Sequence, residues 1–481
     1  MRNRPHAPLP VASIDILDDD SLLNIFYHCR PVLLDEDTHS KGRIFLGGEW
    51  VRERWWYTVI HVCRRWRYLV LGSASHLGLC LLCTYGTPVA DMLEHSPSLP
   101  LIIDHADEGR EITAEDEKGI MLALQYRSRV RRIRLWMPIL KLHKLIMAID
   151  DEFPMLLYLY IRPATNNSVG WILPKTFRAP HLRHLVLFNF AFPIGSPLLT
   201  TALGLVTLSL QRIPRSTHFY PNDLLQQLSL MPQLEALGID FRSLIPGSDI
   251  EVQLLDQMIM THVTLPNLRW FVFYGVSAYL GALLSRMTTP LLERFQIQFP
   301  DQPALPVPHL PEFISATENL KLKSATTARM GFSTWGVWVW IYSHAEAKIY
   351  SLEMAVKSGH LNRQVVSAAQ LFSPLEAVFS AVEGLSLGYW RHSMSWEWNN
   401  EADRTEWREL FRLFINVKML RVDDGLVTQL SDFLRSDDGE SPMDVFPNLK
   451  KLSYPASCGD AFTAFIDARQ KAGHPVTQHR D

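Results

Sequence analysis

A chain of 481 residues, 47% hydrophobic and 20% charged, has the composition of a folded protein and more length than one ordinary core uses, which leaves room for a repeat array. Its formal charge of -3 gives no support to a nucleic-acid or membrane surface as the main partner. Five cysteines (Cys29, Cys63, Cys80, Cys83, Cys458), a polar and proline-rich opening, and no apolar run near the ~18 residues that cross a bilayer predict a cytoplasmic or nuclear protein without structural disulfides.

After a short tail over residues 1–9, the stretch from Ile16 to Phe26 reads as a helix with an acidic start. Asp18, Asp19 and Asp20 can cap its free N–H groups, and Leu22, Ile25 and Phe26 form one apolar stripe. Residues 35–48 read as a loop. A second helical segment carries Trp55, Val59, Val62, Cys63, Trp66 and Leu69 along one face, with Arg64, Arg65 and Arg67 as its solvated side. Two helices this small need a cover for their apolar faces, from the rest of the chain or from a partner.

These residues resemble the F-box, the adaptor-binding module of ubiquitin-ligase receptors. The family's opening, Leu-Pro-x-Glu followed by an apolar pair and Ile-Phe or Ile-Leu, is matched from Leu17 to Phe26, and its closing Val-Cys-x-x-Trp by Val62-Cys63-Arg64-Arg65-Trp66. Asp18 stands where the family usually has proline, and an insertion at about 31–56 is longer than the usual linker. The insertion either extends the partner surface or lies back on the repeats. The resemblance implies a Skp-type adaptor, and through it a cullin, docked on Leu17, Leu22, Ile25, Phe26, Val62 and Trp66. The whole chain also looks like the fungal F-box proteins with degenerate leucine-rich repeats, stretches such as Gly47-Gly48-Glu49-Trp50 being similar to theirs.

From residue 83 to 460 the chain is organised by one spacing: an apolar residue, then further apolar residues three and five positions on. Copies occur at Val130/Ile133/Leu135, Leu156/Leu159/Ile161, Leu182/Leu185/Leu187, Leu205/Leu208/Leu210, Leu234/Leu237/Ile239, Leu268/Phe271/Phe273 and Leu292/Phe295/Ile297. They resume at Ile349/Leu352/Met354, Val382/Leu385/Leu387, Val417/Leu420/Val422 and Leu449/Leu452/Tyr454. A return every ~23 to 35 residues is the signature of leucine-rich repeats, one short strand and one returning segment per unit. The interval before Ile349 is about twice its neighbours, which predicts a hidden copy at Leu322/Ala325/Thr327. Pro154, Pro180, Pro232, Pro266, Pro290 and Pro447 each precede a copy by two residues and are expected at strand starts, where no ladder N–H is needed. Two early strands are expected at 79–82 and 99–103, and amphipathic helices at 140–149, 223–231, 254–262, 279–287, 407–414 and 427–434. The fold class is therefore α/β: an F-box-like helical module over 10–82, an irregular leucine-rich-repeat solenoid with a curved parallel sheet over 83–460, and a helix and tail over 461–481.

Nothing in the sequence singles out catalysis. There is no H-E-x-x-H, G-x-S-x-G or phosphate-binding glycine loop, so the reading is a non-catalytic receptor without cofactor or metal. Cys80-Leu81-Leu82-Cys83 lacks the second ligand pair of a zinc site and reads as buried thiols. The variable residues of the strands are expected to point away from the core, which would line Arg132, Arg134, Tyr158, Tyr160 and His184 along a basic and aromatic surface for a target. The tryptophans Trp335, Trp338 and Trp340, and Trp390, Trp396, Trp398 and Trp407, read more readily as plugs of an irregular core than as ligand platforms. The alternative reading of the whole is a repeat scaffold without a ligase role.

Overall fold

The computed structural model describes residues 14–29, 55–107, 110–164, 171–191, 194–241, 259–300, 307–343, 349–390, 404–435 and 443–480. Residues 31–54 of the insertion expected at about 31–56, residues 254–258 of the helix expected at 254–262, and Trp396 and Trp398 lie outside these residues, and residues 259–262 are not helical. The chain divides into two compact units, Met1–Met137 and Pro138–Asp481.

The first unit opens with helices α1 (Asp19–His28), α2 (Trp55–Ile60), α3 (Arg64–Gly72) and α4 (Ala74–Leu77). The single second helix expected from the sequence is two. The chain leaves helical geometry before Cys63, which then caps α3, its Sγ accepting the Trp66 N–H at 3.5 Å. Strands β1 (Leu81–Cys83), β2 (Leu101–His105) and β3 (Val130–Met137) follow, separated by helices α5 (Val89–His95) and α6 (Ala114–Gln125). They pair in parallel, Leu81 beside Leu101 and Ile103 beside Ile133, so the two early strands are repeat-like rungs. Thr113 and Asp116 form a reciprocal capping box at the start of α6.

The second unit is a long, mostly parallel sheet with helices in its connections, a leucine-rich-repeat-like solenoid. Strands β4 (Tyr158–Pro163), β5 (His184–Phe188), β6 (Thr207–Gln211), β7 (Ala236–Asp240), β8 (Trp270–Tyr274) and β9 (Arg294–Phe299) lie side by side in chain order. Their register aligns Leu159, Leu185, Leu208, Leu237, Phe271 and Phe295 in one row, and Ile161, Leu187, Leu210, Ile239, Phe273 and Ile297 in the next. Both rows are buried. Each such side chain contributes ~1.5–3 kcal/mol on burial, and the even spacing makes every rung the cover of its neighbour.

The prolines sit one step earlier than expected. Leu156 N donates to Phe153 O, Leu182 to Ala179, Leu234 to Met231, Leu268 to Leu265, Leu292 to Thr289 and Leu449 to Phe446, which puts each proline at the second position of a four-residue turn ahead of the strand. That position wants a fixed φ and uses no N–H, so proline suits it better than the strand itself. Asparagines beside the turns tie successive rungs together: Asn267 Nδ2 donates to Pro232 O at 2.9 Å, Asn416 to Ser380 O at 2.9 Å and Asn448 to Ile415 O at 3.1 Å.

The doubled interval holds a structural insertion as well as a copy. Strands β10 (Thr327–Ser333), β11 (Gly336–Tyr342) and β12 (Leu352–Lys357) form an antiparallel meander entered in reverse, with β12 against β9, β11 in the middle, and β10 against the next parallel strand, β13 (Gly384–Trp390). The hidden copy is displaced by three residues from Leu322/Ala325/Thr327. Ala325, Ala328 and Met330 are buried, and Ala328 and Met330 pair with Leu385 and Leu387. After the turn that closes at Leu320 the chain takes a second one at Ala325, the extra length that reaching a strand two places further along requires. Parallel pairing then continues through β14 (Met419–Val422) and β15 (Lys451–Tyr454). The expected C-terminal helix and tail are a helix, Thr463–Lys471, and a further parallel strand, β16 (Thr477–Arg480), whose polar sequence carries no leucine signal.

Candidate functional site

The first candidate surface is the helical start of the first unit. Asp18, in the place of the family's proline, does a proline's work of starting a helix by another means: its carboxylate accepts the Ser21 N–H at 2.7 Å, and that bond holds its pKa below the usual value. Phe26 packs on Trp66 with ring centroids 4.8 Å apart, joining α1 to α3, and Leu22 is buried behind it. Arg65 is no free solvated charge. It donates to Asp19 Oδ1 at 2.6 Å and to the Leu17 carbonyl at 2.7 Å, fixing the helix entry, although an ion pair this exposed contributes no more than ~1 kcal/mol. Arg67 donates to the Ile60 carbonyl across the break between α2 and α3.

The six residues of the predicted adaptor face therefore divide. Leu22 and Phe26 are spent inside the module, Leu17 and Trp66 are half-buried, and Ile25 and Val62 remain 42% and 58% exposed. Ile16 and Tyr68 are more exposed still. The packing of Phe26 on Trp66 thus joins the two motifs, and Ile25 and Val62 are the members of the predicted face that lie at the surface.

The predicted target surface is only partly assembled. In the first unit, Arg132 and Arg134 stand on β3 in register with Ile102 and Asp104. Arg134 is held 3.4 Å from the Asp104 carboxylate, both side chains largely buried; burial pushes the Asp104 pKa up and the guanidinium opposes it. In the second unit, Tyr158 lies 5.9 Å from the His184 ring, and His184 Nδ1 is 3.1 Å from Thr207 Oγ1. Tyr160 departs from expectation. It is 1% exposed, its ring 5.7 Å from Phe188, because a large ring on the variable face can be roofed by its neighbours as fully as a leucine on the other.

The tryptophans correct the core reading in the first cluster and fit it at Trp407 in the second. On β11 the aliphatic Val337, Val339 and Ile341 take the leucine side, so Trp338 and Trp340 face the opposite way and stay half-exposed; Trp335, in the hairpin turn, is 66% exposed. Trp407 is a core plug, stacked on Phe411 at 5.2 Å and edge-on to Phe332 at 5.5 Å. The side chain of Trp390 lies outside the described residues. Beside Trp340 stands a group the sequence did not single out, Glu353, buried on the variable face and accepting hydrogen bonds from Tyr350, Trp340 and Gln296. Burial pushes its pKa up against those three donors.

Cys80 and Cys83 are both buried, and burial pushes the Cys83 thiol up to about 12, the state of an inert structural thiol. Among the described residues no group of three or more His, Cys, Asp or Glu could hold a metal ion, and no helix is long and apolar enough to cross a membrane.

No protein-family model and no curated protein matches the sequence. Among solved structures, the chain is similar to the leucine-rich-repeat-containing protein LegL7 from Legionella pneumophila, with 12% identity and a TM-score of 0.25, over 83% of this chain and 99% of that one. The repeat assignment rests on the strand register and the buried rows.

Proposed function

We propose that this protein is an F-box substrate receptor: its helical N-terminus docks on a Skp-type adaptor of a cullin ubiquitin ligase, and its repeat unit holds the protein to be modified. The observation that supports the reading is the division of the N-terminal apolar residues. Phe26 and Trp66 lock α1 to α3, while Ile25 and Val62, members of the same two sequence motifs, are left on the surface. On this reading these exposed apolar residues are the face that the adaptor covers. On this reading no covalent chemistry happens on the chain, and no cofactor is needed.

The test separates the frame from the face. Ile25→Asp together with Val62→Asp changes exposed residues only, so the helices should persist by circular dichroism while capture of a purified Skp-type adaptor is lost. Adaptor capture retained in the double variant would remove the ligase role and leave a repeat scaffold for protein interaction.

A further inference from the structure

The two buried rows of the second unit's sheet end on polar residues. Leu385, Leu420 and Leu452 align in one row, and Leu387 and Val422 in the other, which Tyr454 continues. On β16, the last strand of the sheet among the described residues, the register sets Gln478 beside Leu452 and Arg480 beside Tyr454. Partnered residues on neighbouring strands point to the same face, so an amide and a guanidinium stand where each earlier parallel strand of the unit has an apolar side chain.

The strand itself is lightly held. Thr477 N donates to the Lys450 carbonyl at 2.8 Å, the Gln478 amide is hydrogen-bonded to the Tyr454 hydroxyl, and Arg480 Nη2 lies 2.6 Å from Asp460 Oδ1 with both side chains exposed. An ion pair so exposed adds little. The firm attachment lies one element earlier, on helix Thr463–Lys471, which buries Phe465 and whose Arg469 guanidinium donates to the carbonyls of Phe446, Pro447 and Leu449. β16 can therefore leave while that helix stays. The edge it would uncover is specific: Leu452 and Tyr454 offer apolar positions two residues apart, and Lys451, in register with Thr477 on the opposite face, is exposed and forms no ion pair among the described residues.

We propose that β16 is a placeholder, and that its place beside β15 is taken by an extended segment of a target protein reading acidic, apolar, small, apolar. Lying parallel to β15, such a segment makes the ladder hydrogen bonds, sets its two apolar side chains beside Leu452 and Tyr454, and brings its carboxylate to Lys451. The tethered β16 competes at high effective concentration, and the two apolar side chains that β16 lacks are what let the guest displace it. The proposal rests on the receptor reading only in calling the guest a target; the binding edge stands on the second unit alone.

The probe is a fluorescent peptide containing Glu-Leu-Ser-Leu, titrated into the full chain without adaptor. Saturable binding is expected, with a loss of roughly tenfold or more when both leucines of the peptide are replaced by glutamine. Two variants should move the affinity in opposite directions, which misfolding cannot imitate. Thr477→Pro removes the N–H that β16 gives to Lys450 and should raise affinity about tenfold, whereas Gln478→Leu with Arg480→Leu completes the chain's own rows and should lower it about tenfold. Lys451→Glu should shift the preference to a Lys-Leu-Ser-Leu peptide. No saturable binding to the native chain or to Thr477→Pro, as for a strand that is only a polar cap of the array, would overturn the proposal. Equal affinity for the glutamine peptide, or undiminished binding to the double leucine variant, would do the same. Loss of adaptor capture with peptide binding intact would overturn the ligase reading and spare this one.

Discussion

His105, at the end of β2, is 1% exposed, and among the described residues neither of its ring nitrogens has a hydrogen-bond partner. Its ring lies 4.8 Å from Tyr85. Burial lowers its pKa from 6.5 to about 4; the Asp116 carboxylate opposes this weakly, since it is taken up by the N–H groups of Gly86 and Thr113. With the folded pKa depressed, the unfolded chain takes up the proton first, so stability is full above pH 6.5 and is lost as the pH falls toward 4. The shift amounts to about 3 kcal/mol. His105→Phe keeps a ring against Tyr85 and removes two unsatisfied nitrogens. It should raise stability at neutral pH by ~1 kcal/mol and reduce the fall in melting temperature between pH 6.5 and 4, and an acid profile identical to that of the native chain would refute the assignment. His218, lowered to about 4 by its own burial, titrates in the same window, so the difference between the native chain and the variant is the informative quantity. Nothing in the linear pattern marks His105 out. A polar residue ending a strand reads as a solvated one until the helix and turn that cover it are known.

At the scale of the element, the hairpin between β10 and β11 shows where periodicity informs and where it misleads. The leucine spacing located the rungs because burial on one side of a parallel strand imposes it, and in each copy the second and third apolar positions are buried. The same spacing, imposed on the long interval, produced a copy three residues out of place and concealed an antiparallel pair. The missed signal was period two: Val337, Val339 and Ile341 alternating with Trp338, Trp340 and Tyr342 after a Ser-Thr-Trp-Gly turn. Gly336 closes that turn where a Cβ would collide with the Val356 carbonyl oxygen. Gln364, buried on helix Leu361–Phe372, donates to the carbonyls of Ser333 and Ser358 and clamps the turn from below. Backbone cannot withdraw from such a contact without breaking the β11–β12 pairing. Gly336→Ala should therefore cost ~2 kcal/mol or more and increase amide exchange along β11, while Thr334→Ala in the same turn changes little. Equal exchange in both variants would place the constraint elsewhere.

At the scale of the whole molecule the two candidate surfaces were legible to different degrees, for a physical reason. The residues proposed for the adaptor face fall in contiguous motifs, so their types were readable, but which of them face outward depends on the break before Cys63 and on the packing of Phe26 against Trp66, which no linear pattern states. The variable face of the meander is assembled from strands entered in reverse order, and Glu353, Trp340 and Arg329 become neighbours only once β12 and β10 flank β11. The outward Ile16, Ile25, Val62 and Tyr68 make a further prediction about the chain as a whole. On the receptor reading these residues form one apolar patch when no adaptor covers them, and molecules presenting it should self-associate in a concentration-dependent way. Light scattering of the purified chain is expected to show that association. It should disappear on adding a Skp-type adaptor, which covers the patch, and equally in the Ile25→Asp, Val62→Asp variant, which replaces it by charge. Association that persists in the variant would locate the sticky surface outside the N-terminal helices, and a native chain that stays monomeric without adaptor would mean that these residues are not a docking face.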